Sequence, residues 1–223
     1  MERRYERNLP ALSEAECLLL RKKRVLIVGC GGLGGHIIDQ LARIGIGSLK
    51  VVDGDVFDES NLNRQLLSDV TKLGISKAKA AADHIACINP AVAVEAVNVF
   101  MSAENVQELI AGCDIVIDAL DNIPARRILA DACAKAKLPY VYGAISGWVA
   151  QAALSMPEDR LIDRLYPEEI EIRDKSVLSF TPALCASMQV ALCVKYLTGR
   201  AAQHGTVYYF DLLNQEFETI PLV

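Results

Sequence analysis

The sequence predicts a doubly wound, mostly parallel α/β sheet with an antiparallel extension at its C-terminal end. Three observations carry this. Strand-like and helix-like segments alternate through the first two thirds of the 223 residues, as right-handed crossovers between parallel strands require. A wholly apolar run at 25–28 leads directly into Gly29-Cys30-Gly31-Gly32-Leu33-Gly34, the strand–turn–helix grammar of a nucleotide-binding Rossmann-like sheet. The last third then breaks the rhythm with a long polar stretch, one long helix and a closing hairpin.

In order along the chain, residues 1–22 form an arm and a helix that opens at Ser13, where Ser13-x-x-Glu16 has the spacing of a capping box. The run 25–28 is a central strand, apolar at every position because both of its faces are covered. After the glycine turn, Ile37, Leu41 and Ile44 mark one helical face, stopped by Gly45 and Gly47. Residues 49–52 are the second strand, ending at Asp53. Residues 76–88 are a helix ended by Asn89-Pro90, and 92–97 alternate as a third strand. Ser102 caps a helix to about 110, and 114–118 form the fourth strand. Residues 124–137 are helical and 140–142 a fifth strand.

Residues 151–155 read as a further strand. The stretch 157–178 is polar, mixed in charge and without periodicity, and is expected to be a mobile crossover loop. Thr181-Pro182 opens a long helix to about 197, and 207–212 pairs with 216–220 as a hairpin around Asn214. One domain over 1–223 accounts for all of it.

The composition is 52% hydrophobic with a net charge of −5, which argues against disorder and against a broadly basic face for nucleic acid. No stretch approaches the ~20 apolar residues of a bilayer span, and no apolar signal core follows the charged N-terminus, so a cytoplasmic protein without a membrane partner is expected. Seven scattered cysteines include no C-x-x-C pair. They read as reduced, mostly buried thiols, and no zinc site is predicted.

In the glycine motif, Gly29, Gly31, Gly32 and Gly34 allow a tight turn and close approach of a ligand, while the following helix offers free N–H groups to an anion. Asp53 lies 19 residues beyond Gly34, where a carboxylate can bind ribose hydroxyls. This pair alone specifies an adenine nucleotide and fits NAD at least as well as ATP.

The next segment shifts the balance. Asp53-Gly-Asp55-Val-Phe-Asp58-Glu-Ser60-Asn61-Leu-Asn63-Arg64-Gln65 brings carboxylates, amides and an arginine to the carboxyl edge of the sheet. Lys77 follows, and Asp118 and Asp121-Asn122 end the fourth strand at the same edge. Arg64 and Lys77 can neutralise phosphate oxygens. Asp121 can hold Mg²⁺, which keeps several waters and needs one or two carboxylates. A nicotinamide cofactor explains none of this collection.

The motifs G-x-G-G-L-G, D-x-D, S-N-L-N-R-Q, G-x-x-K-A and D-x-x-D-N, in this order, resemble the ThiF/MoeB/HesA family, whose adenylating domain is shared with ubiquitin-activating enzymes. The resemblance runs from Tyr5 to the end of the sequence. It implies ATP and Mg²⁺ as cofactors and adenylation of the C-terminal glycine of a small ubiquitin-like sulfur carrier ending in Gly-Gly. It implies that Asp53 binds the ribose, that Asn61, Arg64, Lys77 and Gln65 lie at the phosphates, that Asp121 binds magnesium with Asp55 in support, and that Asn122 lies beside the nucleotide. Tyr5-Glu6-Arg7-Asn8 resembles the family's N-terminal motif, which implies a homodimer in which Arg7 reaches the neighbouring subunit's ATP. The helix after Pro182 resembles the family segment that usually opens with a G-P or A-P pair and carries a Gln, here Gln189.

Two departures bear on mechanism. The zinc cysteines of many relatives are absent, and the position eight residues before Pro182, where many carry a catalytic cysteine, is Asp174. A relay through a loop cysteine therefore has no support, and direct transfer to another protein's sulfur, through a sulfurtransferase partner, is expected. Cys185 and Cys30 read as packing residues, and His36, His84 and His204 as structural or solvent-facing. The competing readings are an NAD-dependent oxidoreductase, a relative acting on a tRNA or peptide carboxylate, and a non-catalytic module.

Overall fold

The computed structural model of the chain describes residues 2–167 and 176–222. Among the described residues, eight strands form one sheet in the order β3-β2-β1-β4-β5-β6-β7-β8. β1 (Arg24–Val28), β2 (Ser48–Val52), β3 (Ala93–Val97), β4 (Ile115–Asp118) and β5 (Tyr140–Ser146) run parallel, and β6 (Val149–Ser155), β7 (Thr206–Asp211) and β8 (Glu216–Pro221) add antiparallel strands. The expected fold class, a mostly parallel Rossmann-like sheet with an antiparallel C-terminal extension, is the observed one.

Burial on both faces explains the unbroken apolar strands. In β1, Val25 and Ile27 join the core under α1 (Glu14–Leu20), α2 (Gly32–Ile44), α3 (Lys77–Ile88) and α7 (Phe180–Leu197). Leu26 and Val28 face the second core, under α4 (Val106–Ile110), α5 (Ile123–Lys135) and α6 (Leu161–Leu165). The same period-two division runs through β4, where Ile115 and Ile117 face one way and Val116 the other.

Local chemistry sets the helix ends. Ser13 and Glu16 form the expected reciprocal capping box on α1. Gly45 closes α2 in the left-handed region at φ 92°, and Ser76 caps α3 through the Lys79 amide. Several boundaries differ from expectation. α2 begins inside the glycine motif at Gly32, because an anion-binding helix start needs the motif's own amides. α4 starts at Val106, since Ser102 spends its amide on the Asn105 side chain in a preceding turn. β5 continues to Ser146 because β6 pairs with it along its full length.

The stretch 157–178, expected to be a mobile loop, contains α6 with Leu161 and Ile162 buried; its polar residues mask two apolar anchors. Residues 168–175, Asp174 among them, lie outside the described residues. The expectation that no stretch approaches a membrane span also needs amending. α7 has 18 residues at a mean hydropathy of 1.3, but it is a core helix, packed on α2, β5 and β6.

Candidate nucleotide site

Register builds the site. Val28 of β1 pairs with Val52 of β2 and with Asp118 of β4, so Gly29, Asp53 and Ala119 leave the sheet side by side at its carboxyl edge. Backbone bonds continue there from Gly29 N to Val52 O at 2.8 Å and from Ala119 N to Val28 O at 2.9 Å. Ligands bind at this edge in open α/β sheets.

The glycine loop tolerates no side chains at two of its positions. A Cβ on Gly34 would lie 1.8 Å from the Gly29 carbonyl oxygen, and one on Gly29, at φ +102°, would lie 2.5 Å from that of Ala119. Asp53 ties this loop to the next strand. Its Oδ2 accepts from Cys30 N at 2.7 Å and its Oδ1 from Asp55 N at 2.8 Å.

Two cations flank the loop. The Lys77 ammonium, 6% exposed at the start of α3, donates to Asp55 Oδ2 at 2.6 Å. That hydrogen bond holds the Asp55 carboxyl below its ordinary value against a smaller opposing effect of burial. Arg64 lays its stem toward Gly32, whose added Cβ would meet Arg64 Cγ at 3.9 Å, and donates to Ser60 O and Asn63 Oδ1 at 2.8 Å each. Asn61 is mostly structural: its Oδ1 accepts from Asp58 N at 3.1 Å in a second capping box, on the 3₁₀ turn Glu59–Asn61.

Gln65 is buried beside the loop, its amide 3.5 Å from where a Gly31 Cβ would sit. Its Oε1 has no hydrogen-bond partner, and an orphaned buried amide at a ligand edge awaits one. That oxygen needs a donor such as a ligand hydroxyl or water, whereas Lys77, Arg64 and the open amides of α2 form a donor set that fits a nucleoside triphosphate.

Across the edge, Asp121 is exposed and accepts from Asn122 Nδ2 at 3.2 Å. Asn122 Oδ1 caps α5 through Ala125 N at 2.9 Å, so this side chain is committed to the helix. Among the described residues no three Asp, Glu, His or Cys side chains gather as a ready metal cluster. Asp121 is a solvated carboxylate in the turn between β4 and α5, of the kind Mg²⁺ takes with its waters.

Asp118 is not part of the open edge. It is fully buried beneath it, where Arg126 Nη1 reaches Oδ2 at 2.9 Å, Tyr140 donates to the same oxygen, and Leu120 N donates to Oδ1 at 2.8 Å. Burial raises its carboxyl, opposed by Arg126. Arg126 also donates to Gly143 O at 2.6 Å and to Leu120 O, and Gln189 of α7 donates to Asp118 O at 2.7 Å. This brace under the Asp121 loop was missed in sequence. A buried arginine on an amphipathic helix, eight residues after an acid that ends a strand, was its only signal.

Arg7 is not at this edge. It lies on the 3₁₀ turn Arg3–Asn8, anchored by Tyr5, whose ring occupies the space beside Gly45 at the far end of α2 and whose hydroxyl accepts from Asn89 Nδ2 at 2.8 Å. The cysteines and histidines behave as expected. Burial pushes the Cys185 thiol up to about 12 and raises that of Cys30, leaving neither nucleophilic. His84 pairs with Asp39 and His204 with Asp159, both at 2.8 Å.

A glycine loop joined to an acid at the end of β2 and flanked by Arg64 and Lys77 defines a nucleotide-binding α/β domain. The ThiF family model matches residues 5–222, and the chain belongs to the ThiF family. It is 37% identical to a SAMP-activating enzyme E1 of Haloferax volcanii over 91% of this chain and 77% of that one. It is 32% identical to the molybdopterin-synthase adenylyltransferase of Escherichia coli K12, over 92% of this chain and 85% of that one. Relatives named as both adenylyltransferase and sulfurtransferase are longer, and the chain spans 48–59% of them. A crystal structure of E. coli MccB with ATP has the same fold at a TM-score of 0.84, with 19% identity over 100% of this chain and 72% of that one.

Proposed function

We propose that the protein adenylates the C-terminal glycine carboxylate of a small ubiquitin-like sulfur carrier, with ATP as the nucleotide. The carrying observation is the pair of cations, Arg64 against the glycine loop and the buried Lys77 beside Asp55, on either side of the loop–Asp53 junction. Relatives named as activating SAMP and as adenylylating molybdopterin synthase support the same reading.

A carboxylate oxygen of the carrier attacks the α-phosphorus of ATP. The new O–P bond forms as the bond to the β-phosphate breaks, and pyrophosphate leaves. The attacking carboxylate is already ionised at neutral pH, so the protein's task is positioning and charge neutralisation. Asp53 binds the ribose, the amides of the glycine loop and Gln65 hold the phosphates, and Arg64 and Lys77 offset the charge that develops on the leaving group. Mg²⁺ held by Asp121 would supply further neutralisation. The reading extends to a homodimer whose partner subunit presents its own copy of Arg7, to a sulfurtransferase that takes the product, to a pathway such as thiamine or molybdopterin synthesis, and to a cytoplasmic setting.

The test is ATP–pyrophosphate exchange against a panel of small carriers ending in Gly-Gly. Exchange should require one carrier and be abolished in Arg64→Ala and Asp121→Ala. Thermal stabilisation by NAD and not by ATP-Mg would return the protein to the oxidoreductases.

A further inference from the structure

The geometry points to Phe100 as the platform on which the adenine base stacks, an inference that rests on the ATP reading above. Phe100 lies in the loop between β3 and α4 and is 72% exposed, although it sits at the ligand-binding edge of the sheet.

Its position is fixed from two sides. A Cβ on Gly54 would meet the Phe100 amide nitrogen at 2.6 Å and its ring carbons Cγ and Cδ2 at 2.7 Å, so the ring rests on the backbone immediately after Asp53. Only a residue without a side chain at 54 leaves that space. The Asn105 side chain, at the start of α4, donates to the Phe100 carbonyl at 3.0 Å and accepts from Ser102 N at 2.8 Å. The loop is thus pinned while the ring keeps an open face.

The order along the edge matches a nucleotide. On β1 is the glycine loop, which suits phosphates. Next, on β2, is Asp53, bonded to that loop through Cys30 N at 2.7 Å, which suits a ribose. One residue further, at Gly54, the backbone meets Phe100 from the loop after β3. Phosphate, sugar and base follow one another in ATP in the same order as loop, carboxylate and aromatic ring across adjacent strands β1, β2 and β3. Every nucleobase has a π-face, and an aromatic side chain gains from stacking on it. The ring therefore serves affinity for the nucleotide, while the choice of purine rests on polar groups elsewhere.

The test compares wild-type protein, Phe100→Ala and Phe100→Trp in carrier-dependent pyrophosphate exchange, with inorganic tripolyphosphate as a competitor lacking sugar and base. Phe100→Ala should raise the KM for ATP roughly five- to hundredfold, with kcat at saturation and inhibition by tripolyphosphate unchanged. Phe100→Trp should keep the wild-type KM. If Phe100→Ala fails to fold, Phe100→Leu, which keeps the contact with Gly54 and loses the ring, takes its place. A KM within twofold of wild type in the folded variant overturns the inference while leaving ATP as the nucleotide. Equal loss of tripolyphosphate inhibition overturns it too, because the ring would then be shaping the phosphate site. Absence of ATP binding in the wild-type protein would instead strike the functional reading beneath it.

Discussion

Replacing Lys77 by methionine separates chemistry from stability. The Lys77 side chain is 8% exposed and its partner Asp55 is 54% exposed. With one end in water, the ion pair is worth about 0–1 kcal/mol. Methionine keeps most of the volume of the stem, and because Asp55 is half exposed, removing the ammonium leaves no uncompensated buried charge, the case in which losing one partner is costly. Stability should therefore move by about 1 kcal/mol or less in either direction, a shift in Tm of roughly 4 °C at most for a chain of this length. Asp55 stays hydrated and needs no new partner. The catalytic effect is of another size. Removing one preorganised donor from a site of developing charge typically costs about 2.7–4 kcal/mol of transition-state stabilisation, or roughly 10²–10³ in rate. Thermal denaturation and carrier-dependent pyrophosphate exchange on the same preparation read the two effects. Exchange within tenfold of wild type in a folded Lys77→Met protein would refute the assignment of this ammonium to the triphosphate. A fall in Tm well beyond 4 °C would show that the pair with Asp55 is structural.

Two further outcomes follow from the geometry. Arg126→Met strands the fully buried Asp118 carboxylate and removes donors to Gly143 O and Leu120 O; the cost should be about 3–5 kcal/mol, lowering Tm by on the order of 10 °C, with part of the loss recovered in the double variant carrying Asp118→Leu, and an unchanged Tm in Arg126→Met would mean the brace is idle. The Glu16 carboxylate accepts from Arg200 and from the Ser13 amide and hydroxyl at the start of α1, contacts that hold it at about 2, below the ordinary 4.5. A depressed acid stabilises the fold above its unfolded value and loses that contribution as pH falls toward its folded one. The Tm difference between wild type and Glu16→Gln should thus be full at pH 7 and shrink from about pH 4.5 downward; a difference independent of pH would show that the contacts do not depend on the charge.

The parallel half of the fold was legible because its signals are local. Apolar runs such as 25–28 declare strands buried on both faces, and Ser13-x-x-Glu16, Ser76 and Gly45 mark helix ends by their own hydrogen bonds and dihedrals. What sequence misjudged depends on contacts distant along the chain. Leu161 and Ile162 are two apolar residues in a polar stretch, and only their burial against the α5 side of the sheet reveals α6. Asp118 and Asp121 look alike in sequence, yet the first ends a strand inside the sheet and the second stands in solvent. The burial of Asp118 is tolerable only because Arg126, Tyr140 and the Leu120 amide converge on it.

Arg7 is the residue whose sequence motif and position in the fold pull furthest apart. Its turn is anchored beside Gly45, and α2, 13 residues from Gly32 to Ile44, separates that anchor from the glycine loop by about 20 Å. From Tyr5 to Arg7 the backbone gains at most about 7 Å, and an arginine side chain adds roughly as much again, which leaves the guanidinium short of its own chain's phosphates. With the arm anchored as it is, Arg7 serves a nucleotide only if that nucleotide sits on another subunit. In the homodimer proposed above, use of this side chain at a nucleotide would then require assembly. Dilution below the dimer's dissociation range should weaken exchange as Arg7→Ala does, and combining dilution with the substitution should cost no more than either alone. Loss of exchange in Arg7→Ala with no dependence on protein concentration would place the arginine's role within one chain and set this argument aside.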